Sequence, residues 1–433
     1  MEHEFRRQFL LAAVALAAGG GSTVFALSYL LPVRRPLRTR RERAKIGVAG
    51  ILVLGMTCTV AWVQLAESDS AGGPEEGNYA LAVLDETLAD GSTTDSPVLL
   101  ALLGGALNKA QVLVERQEQQ ERDYRDLAEQ GLIDQAPLMT GPRDGEVAVM
   151  MQSDMHCNTT MIRLQSQIFS TLRERFGEAV PSLLAITGDL TTNGTAAEGV
   201  CVRDEAAITD GGPIAAVTGN HESDVSEQQM DEAGMTVLDG STEEIGGVRV
   251  LGDGDPSRSE LFGETRPRGE ETQAGLGERL AAEAADGDRP DLVLVHEAYA
   301  AQAFLDIESV DALMQSEPES LTEPPDDPAD DTVDDVPTSA VFYGHWHRSI
   351  EPRVLWNSDG TWTLLMELDT TGGAIDSPTI NNFSTPWSQP AQEASFPVVF
   401  LDEESRLVTG YQLYSFDTNG AVVVSPRVDV GLL

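Results

Sequence analysis

Two long apolar runs open the chain. Phe9–Ala18 and, after the Gly19-Gly20-Gly21 interruption, Val24–Leu31 fall within residues 8–33, and a second run with no charged side chain covers residues 46–66. Crossing a hydrocarbon core as helix takes roughly 20 residues, so the pattern predicts two transmembrane helices. Residues 67–95 lose the apolar stretches and are rich in Gly, Ser, Thr, Asp and Glu, which predicts a tether. From Val98 to about Gln130 helix formers return, with charge on the later turns and Gly131 beyond. That predicts one long or broken helix that packs on the domain, self-associates through 98–130, or lies at a membrane surface.

From Glu146 onward, five short apolar runs each stop at a polar cluster: Val147–Met151, Leu183–Ile186, Pro213–Val217, Leu292–Val295 and Ala340–Tyr343. Runs this short, rich in Val, Ile and Ala, suit strands buried on both faces. Helical stretches at 161–175 and 273–285 predict an α/β sheet with helical crossovers, whose polar residues gather along the carboxyl edge of the strands. After His347 the stretches 361–368, 396–401 and 406–416 predict a further antiparallel sheet beside the first. The insertion at 316–339 combines Pro with many acidic residues, and predicts a disordered surface loop. The sparse stretch 252–271 is expected to fold over the site. Three parts result: 1–66, 67–145 and 146–433.

Charge sharpens this picture. The formal net charge is −43, yet the first 66 residues carry nine Arg and Lys against three Glu. So negative a chain repels nucleic acid, which is held mainly by Lys and Arg on phosphates, and no nucleic-acid partner is expected. The bland reading of the acidity is a heavily solvated surface. Between the two apolar spans lie Arg34, Arg35, Arg38, Arg40, Arg41, Arg43 and Lys45, a short basic loop of the kind retained in the cytoplasm, so both ends of the hairpin are expected to face outward. A cleaved signal peptide competes for the first run, but a second span follows where a polar mature sequence should begin. Cys58 lies inside that second span. Cys157 and Cys201 are open to two readings, a disulfide in an oxidising compartment or two unpaired thiols, with Cys157 as a metal ligand less favoured than either.

The clusters that end the five runs are Asp154-Met155-His156, Gly188-Asp189, Gly219-Asn220-His221-Glu222, His296 and Gly344-His345-Trp346-His347. They hold every histidine except His3. Singly, His156 or His296 reads as a structural histidine and Asp189 as a helix cap; together they read as metal ligands. In an extended segment Asp154 and His156 project to one side with Met155 turned away, and His345 and His347 do the same around Trp346. Each pair is then expected to supply two ligands to one site. Carboxylate, imidazole and amide oxygen without thiolate favour Mn, Fe or Zn.

The order Asp-x-His, Gly-Asp, Gly-Asn-His-Glu, His, Gly-His-x-His resembles the calcineurin-like metallophosphoesterase superfamily, in its membrane-anchored bacterial form, over residues 146–433. The resemblance implies a two-sheet sandwich flanked by helices. It places Asp154, His156 and His347 on a first metal ion, Asn220, His296 and His345 on a second, and Asp189 between both, with His221 as acid or transition-state stabiliser. Two departures stand out: Glu297-Ala298 follows His296 where many members have a proline two places on, and Glu222 stands where Asp is also common. Asn193 reads as a turn residue before Gly194 rather than a phosphate contact. Trp346, Tyr343 and Met155 read as packing residues, and Arg163 and Arg203 are the arginines considered for offsetting the acidic surface. The expected activity is hydrolysis of a phosphomonoester or phosphodiester on the outer membrane face. The alternative is a membrane-anchored metal-binding sensor or assembly module without turnover.

Overall fold

The computed structural model describes residues 79–80, 93–94, 119–259, 265–287, 289–314, 321–323, 336–348, 350–374 and 390–431. The chain divides into two units, Met1–Ala110 and Gln111–Leu433. In the first, Tyr79–Ala80 (β1) pairs antiparallel with Thr93–Thr94 (β2). The spans expected at 8–33 and 46–66, and residues 98–118 of the expected helix, lie outside the described residues. Among the described residues no helix is long and apolar enough to cross a membrane.

All five apolar runs form strands, but they divide between two sheets. Glu146–Gln152 (β3), Leu183–Ile186 (β4), Ile214–Ala216 (β5) and Thr236–Val237 (β6) are parallel neighbours. Glu243–Ile245 (β7), Val248–Gly252 (β8), Leu292–Leu294 (β11) and Ala340–Tyr343 (β12) belong to a six-stranded sheet in which β8, β11 and β12 run parallel. Among the described residues the later strands do not make the expected further antiparallel sheet of their own; they join the two sheets the central strands build. Arg353–Trp356 (β13) and Trp362–Glu367 (β14) extend the six-stranded sheet beyond β12. Ala394–Asp402 (β15), Val408–Phe416 (β16), Val422–Val424 (β17) and Val428–Asp429 (β18) extend the eight-stranded one beyond β3. The physical reason is edge satisfaction: β3 and β12 each leave a row of backbone groups that a newly made strand can pair.

Strand alternation explains why the runs carry no polar face. Met150 and Ile186 point into one buried cluster with the helices Thr159–Phe176 (α2) and Gly199–Ala206 (α3). Val149, Met151, Leu292 and Phe342 meet in a second cluster between the sheets. Val293 and Val341 point into a third, against Gln273–Asp286 (α5) and Ala298–Phe304 (α6). Both faces of each central strand are therefore dry. Asp224–Glu232 (α4) and Val310–Leu313 (α7) complete the α-helices after 159 among the described residues.

A helix over 119–135 (α1) precedes these elements and buries Tyr124, Ala128 and Leu132 in the first cluster. It continues through Gly131 instead of ending there; a Cβ at Gly131 would meet the Val422 side chain, which makes that glycine a packing residue. Of the acidic insertion, Val336, Thr338 and Ser339 are buried and lead into β12; residues 315–320 and 324–335 lie outside the described residues. Cys157 and Cys201 form a disulfide that ties the start of α2 to α3 across 44 residues. By loop-closure entropy such a link stabilises by about 2–4 kcal/mol.

Glu205 on α3 is fully buried beside Gln152. Burial pushes its pKa from 4.5 up to about 8. The folded protein thus keeps a proton that the unfolded chain releases, and stability falls as pH rises from about 4.5 to about 8. Glu205→Gln removes that loss. Its stabilisation relative to wild type is expected to grow by on the order of 4 kcal/mol between pH 4.5 and pH 9; denaturant midpoints at the two pH values check this, and a pH-independent difference contradicts it.

Candidate metal centre

The carboxyl ends of the parallel strands stand level within each sheet, with Gln152 opposite Ile186 and Ile186 opposite Ala216, and Leu294 opposite Phe342. The segments leaving them stay joined by backbone bonds: Asp154 N donates to Gly188 O at 3.0 Å, His156 N to Asp189 O at 3.0 Å, and Gly344 N to His296 O at 3.0 Å. They do not leave as extended chain. Asp154 (φ 52°), His156 (46°), Cys157 (57°), Asp189 (52°), His345 (76°) and His347 (49°) are left-handed, and of these only Cys157 lies outside the set of expected ligands. Positive φ is uncommon for side-chain-bearing residues and collects where a site over-determines the backbone. Close approach also dictates two glycines. A Cβ at Gly219 would collide with the Asp189 carboxylate, and one at Gly344 with Ser153 and the Asp154 carboxylate.

Two triads result, Asp154–His156–His347 and Asp189–His296–His345. In the first, His347 Nε2 lies 3.0 Å from Asp154 Oδ1 and 3.1 Å from His156 Nε2. In the second, Asn220 Oδ1 lies 2.9 Å from His296 Nε2 and 3.1 Å from His345 Nδ1, and the two imidazole nitrogens are 3.2 Å apart. One atom faces both: Asp189 Oδ2 is 3.3 Å from His296 Nε2 and 3.7 Å from His156 Nε2. Asp154 and His156 share a triad as expected. His345 and His347 do not; the left-handed turn through 345–347 sends them to different triads, correcting the expectation that each alternating pair feeds one site.

The donor set fits metal ions. The Nδ1–H of His296 is taken by the Thr187 carbonyl at 2.9 Å and that of His347 by the Ala374 carbonyl at 2.8 Å, so Nε2 of each turns a lone pair inward. Bare lone pairs about 3 Å apart repel. Two donors on one ion at about 2.1 Å are themselves separated by about 3.0–3.4 Å, depending on geometry, the spacing found here. Among the described residues no thiolate is available, since Cys157 and Cys201 are joined in the disulfide. Both triads are therefore candidate metal sites, an arrangement consistent with a binuclear centre.

The electrostatics agree. Burial alone would raise the Asp189 carboxyl, but His296 and His221 hold it well below the usual range. Asp154 is likewise held down against burial, chiefly by His347. Burial pushes His156 down to about 3, leaving it neutral as a ligand must be. The same carboxylates outweigh burial at His296 and draw positive charge into the centre, a demand that a bound cation meets.

His221 belongs to neither triad. Its Nδ1 is 2.6 Å from the Thr192 carbonyl, so Nε2 faces the centre, 4.0 Å from Asp189 Oδ2, with the side chain 31% exposed. Its backbone N–H donates to Asp189 Oδ1 at 2.8 Å.

Supporting residues surround the triads, some of them, such as Ser259, Arg258 and Arg268, outside any motif. Glu222 is fully buried and accepts from Asp189 N, Thr191 N and Gly219 N at 2.7–2.9 Å, tying the two turns together. Burial and the Asp189 charge raise its pKa. Ser259 Oγ accepts from Asn220 Nδ2 at 2.5 Å and so aims Asn220 Oδ1 at the histidines. The stretch 252–271 does reach the site: Ser257–Arg258 (β9) pairs with Arg266–Pro267 (β10). From this ladder Arg258 donates to the carbonyls of Asn220, His221 and Asn193, and Arg268 to those of Gly219 and Glu222. By contrast Arg163 and Arg203 are exposed on α2 and α3. Tyr343 and Met155 are packing residues, Trp346 is partly buried against the third cluster, and Asn193 precedes a left-handed Gly194 (φ 63°) in a turn.

A profile of the calcineurin-like phosphoesterase family matches residues 148–349, the stretch holding both triads. No curated protein matches the chain.

Proposed function

We propose, for a chain that carries a calcineurin-like phosphoesterase domain, that it hydrolyses a phosphomonoester or phosphodiester at a binuclear centre on the outer face of a membrane. The observation that carries this is the single oxygen, Asp189 Oδ2, facing both triads. Asp154, His156 and His347 would hold one ion and Asn220, His296 and His345 the other, of Mn, Fe or Zn. Bound there, the ions supply Lewis acidity toward the phosphoryl oxygens and lower the pKa of water. The protein's own part is to position and to move a proton. His221, held through Nδ1 by the Thr192 carbonyl, presents Nε2 to the leaving oxygen and protonates it. Arg258 and Arg268 brace the turn bearing Asn220 and His221.

The outward placement rests on the two apolar runs, on the basic loop between them, and on the Cys157–Cys201 disulfide, which suits an oxidising compartment. Intact cells making the full chain, given membrane-impermeant chromogenic phosphomonoesters and phosphodiesters, test both parts. Hydrolysis outside the cells is expected, with loss on chelation and recovery with Mn, Fe or Zn. Hydrolysis only after lysis overturns the orientation; none under any metal leaves a metal-binding module without turnover.

A further inference from the structure

Glu297 stands at the N-cap of α6, yet its side chain makes no capping hydrogen bond. Oε1 instead lies 3.2 Å from His345 Nε2, and Oε2 is buried without a hydrogen-bond partner. A carboxylate with one buried oxygen unpaired weakens a fold, and Glu at an N-cap forgoes the capping bond that Ser, Thr, Asp or Asn would make. Local stability therefore gives no reason for glutamate here. His345 does. Its other nitrogen, Nδ1, is the one that meets Asn220 Oδ1 and His296 Nε2, and an imidazole offers a lone pair at Nδ1 only if its proton sits on Nε2.

We infer that Glu297 is a positioning residue for the second ion: its carboxylate accepts the His345 Nε2–H and fixes the ring in the tautomer and orientation that turn the Nδ1 lone pair inward. It touches no substrate. His296 and His347 take their corresponding bonds from main-chain carbonyls, which no substitution removes; His345 takes its own from a side chain. One of the two ions is then open to selective weakening without altering any ligand.

The inference rests on the binuclear reading above, and metal titration of the stripped full chain separates the two. Glu297→Ser supplies a good N-cap, so the metal-free variant is expected to melt no lower than wild type. It should bind one ion as wild type does and the other about 10- to 100-fold more weakly. Glu297→Gln, which keeps an acceptor for Nε2–H, should recover part of that loss. In a His345→Ala background Glu297→Ser should have no further effect on metal binding, as a shared interaction requires. Wild-type protein that binds fewer than two ions overturns the binuclear reading itself. Two ions bound equally well by wild type and Glu297→Ser, or both weakened alike, overturn the role of Glu297 alone.

Discussion

Asp189→Asn is expected to abolish hydrolysis and to empty at least one metal site. The carboxylate serves three neighbours at once: Oδ2 faces His296 and His156 across the two triads, and Oδ1 accepts the His221 N–H at 2.8 Å. An amide has one acceptor oxygen and one donor nitrogen. Whichever way it turns, either a cation meets N–H groups or the His221 amide loses its acceptor, and the negative charge between the ions is gone. Loss of an outer partner of a metal ligand already costs about 10- to 100-fold, so removal of the shared ligand should lower kcat/KM by more than about 100-fold. Steady-state hydrolysis of a chromogenic phosphoester, with metal content measured on the same sample, checks this. Activity within a few-fold of wild type with both ions present would rule out Asp189 as the bridge.

His221→Ala should separate chemistry from metal binding. The residue lies outside both triads, so both ions should remain, while loss of a positioned proton donor lowers kcat by about 10²- to 10⁴-fold. The size of the loss should follow the leaving group. An alkyl alcohol must be protonated as it departs, whereas a nitrophenolate leaves as the anion, so the alkyl ester should suffer more. Equal losses for the two esters, or disappearance of the ions with the rate, would make His221 structural.

The five central strands are legible in the sequence because each is apolar on both faces and ends at a polar cluster, a consequence of lying between two dry layers. Their partition into two sheets is not legible: Val149 and Val293 look alike as residues, and only the pairing of β3 with β4 and of β11 with β12 puts them in different sheets. The same limit applies to β15 and β16, whose antiparallel pairing is visible as a pattern while the strand they join is set by a free edge far away in sequence. Within the site the residue types and their order are readable, since five of six histidines fall in short clusters. The division of His345 and His347 follows from left-handed backbone, which alternation along an extended segment does not anticipate. Arg258, Arg268, Ser259 and Glu297 had no motif to mark them. Their roles arise from contacts across 37 to 65 residues of chain, as with Arg258 and the carbonyls of His221 and Asn193 or Glu297 and His345, and contacts of that kind are fixed by packing.

Anomalous diffraction from crystals of the metal-loaded protein is the most direct measurement of the binuclear centre. Two ions per chain are expected, about 3.5–4 Å apart, one among Asp154, His156 and His347 and the other among Asn220, His296 and His345, with Asp189 Oδ2 touching both. A single ion at saturating Mn, Fe or Zn, or two ions that do not share Asp189, would contradict it.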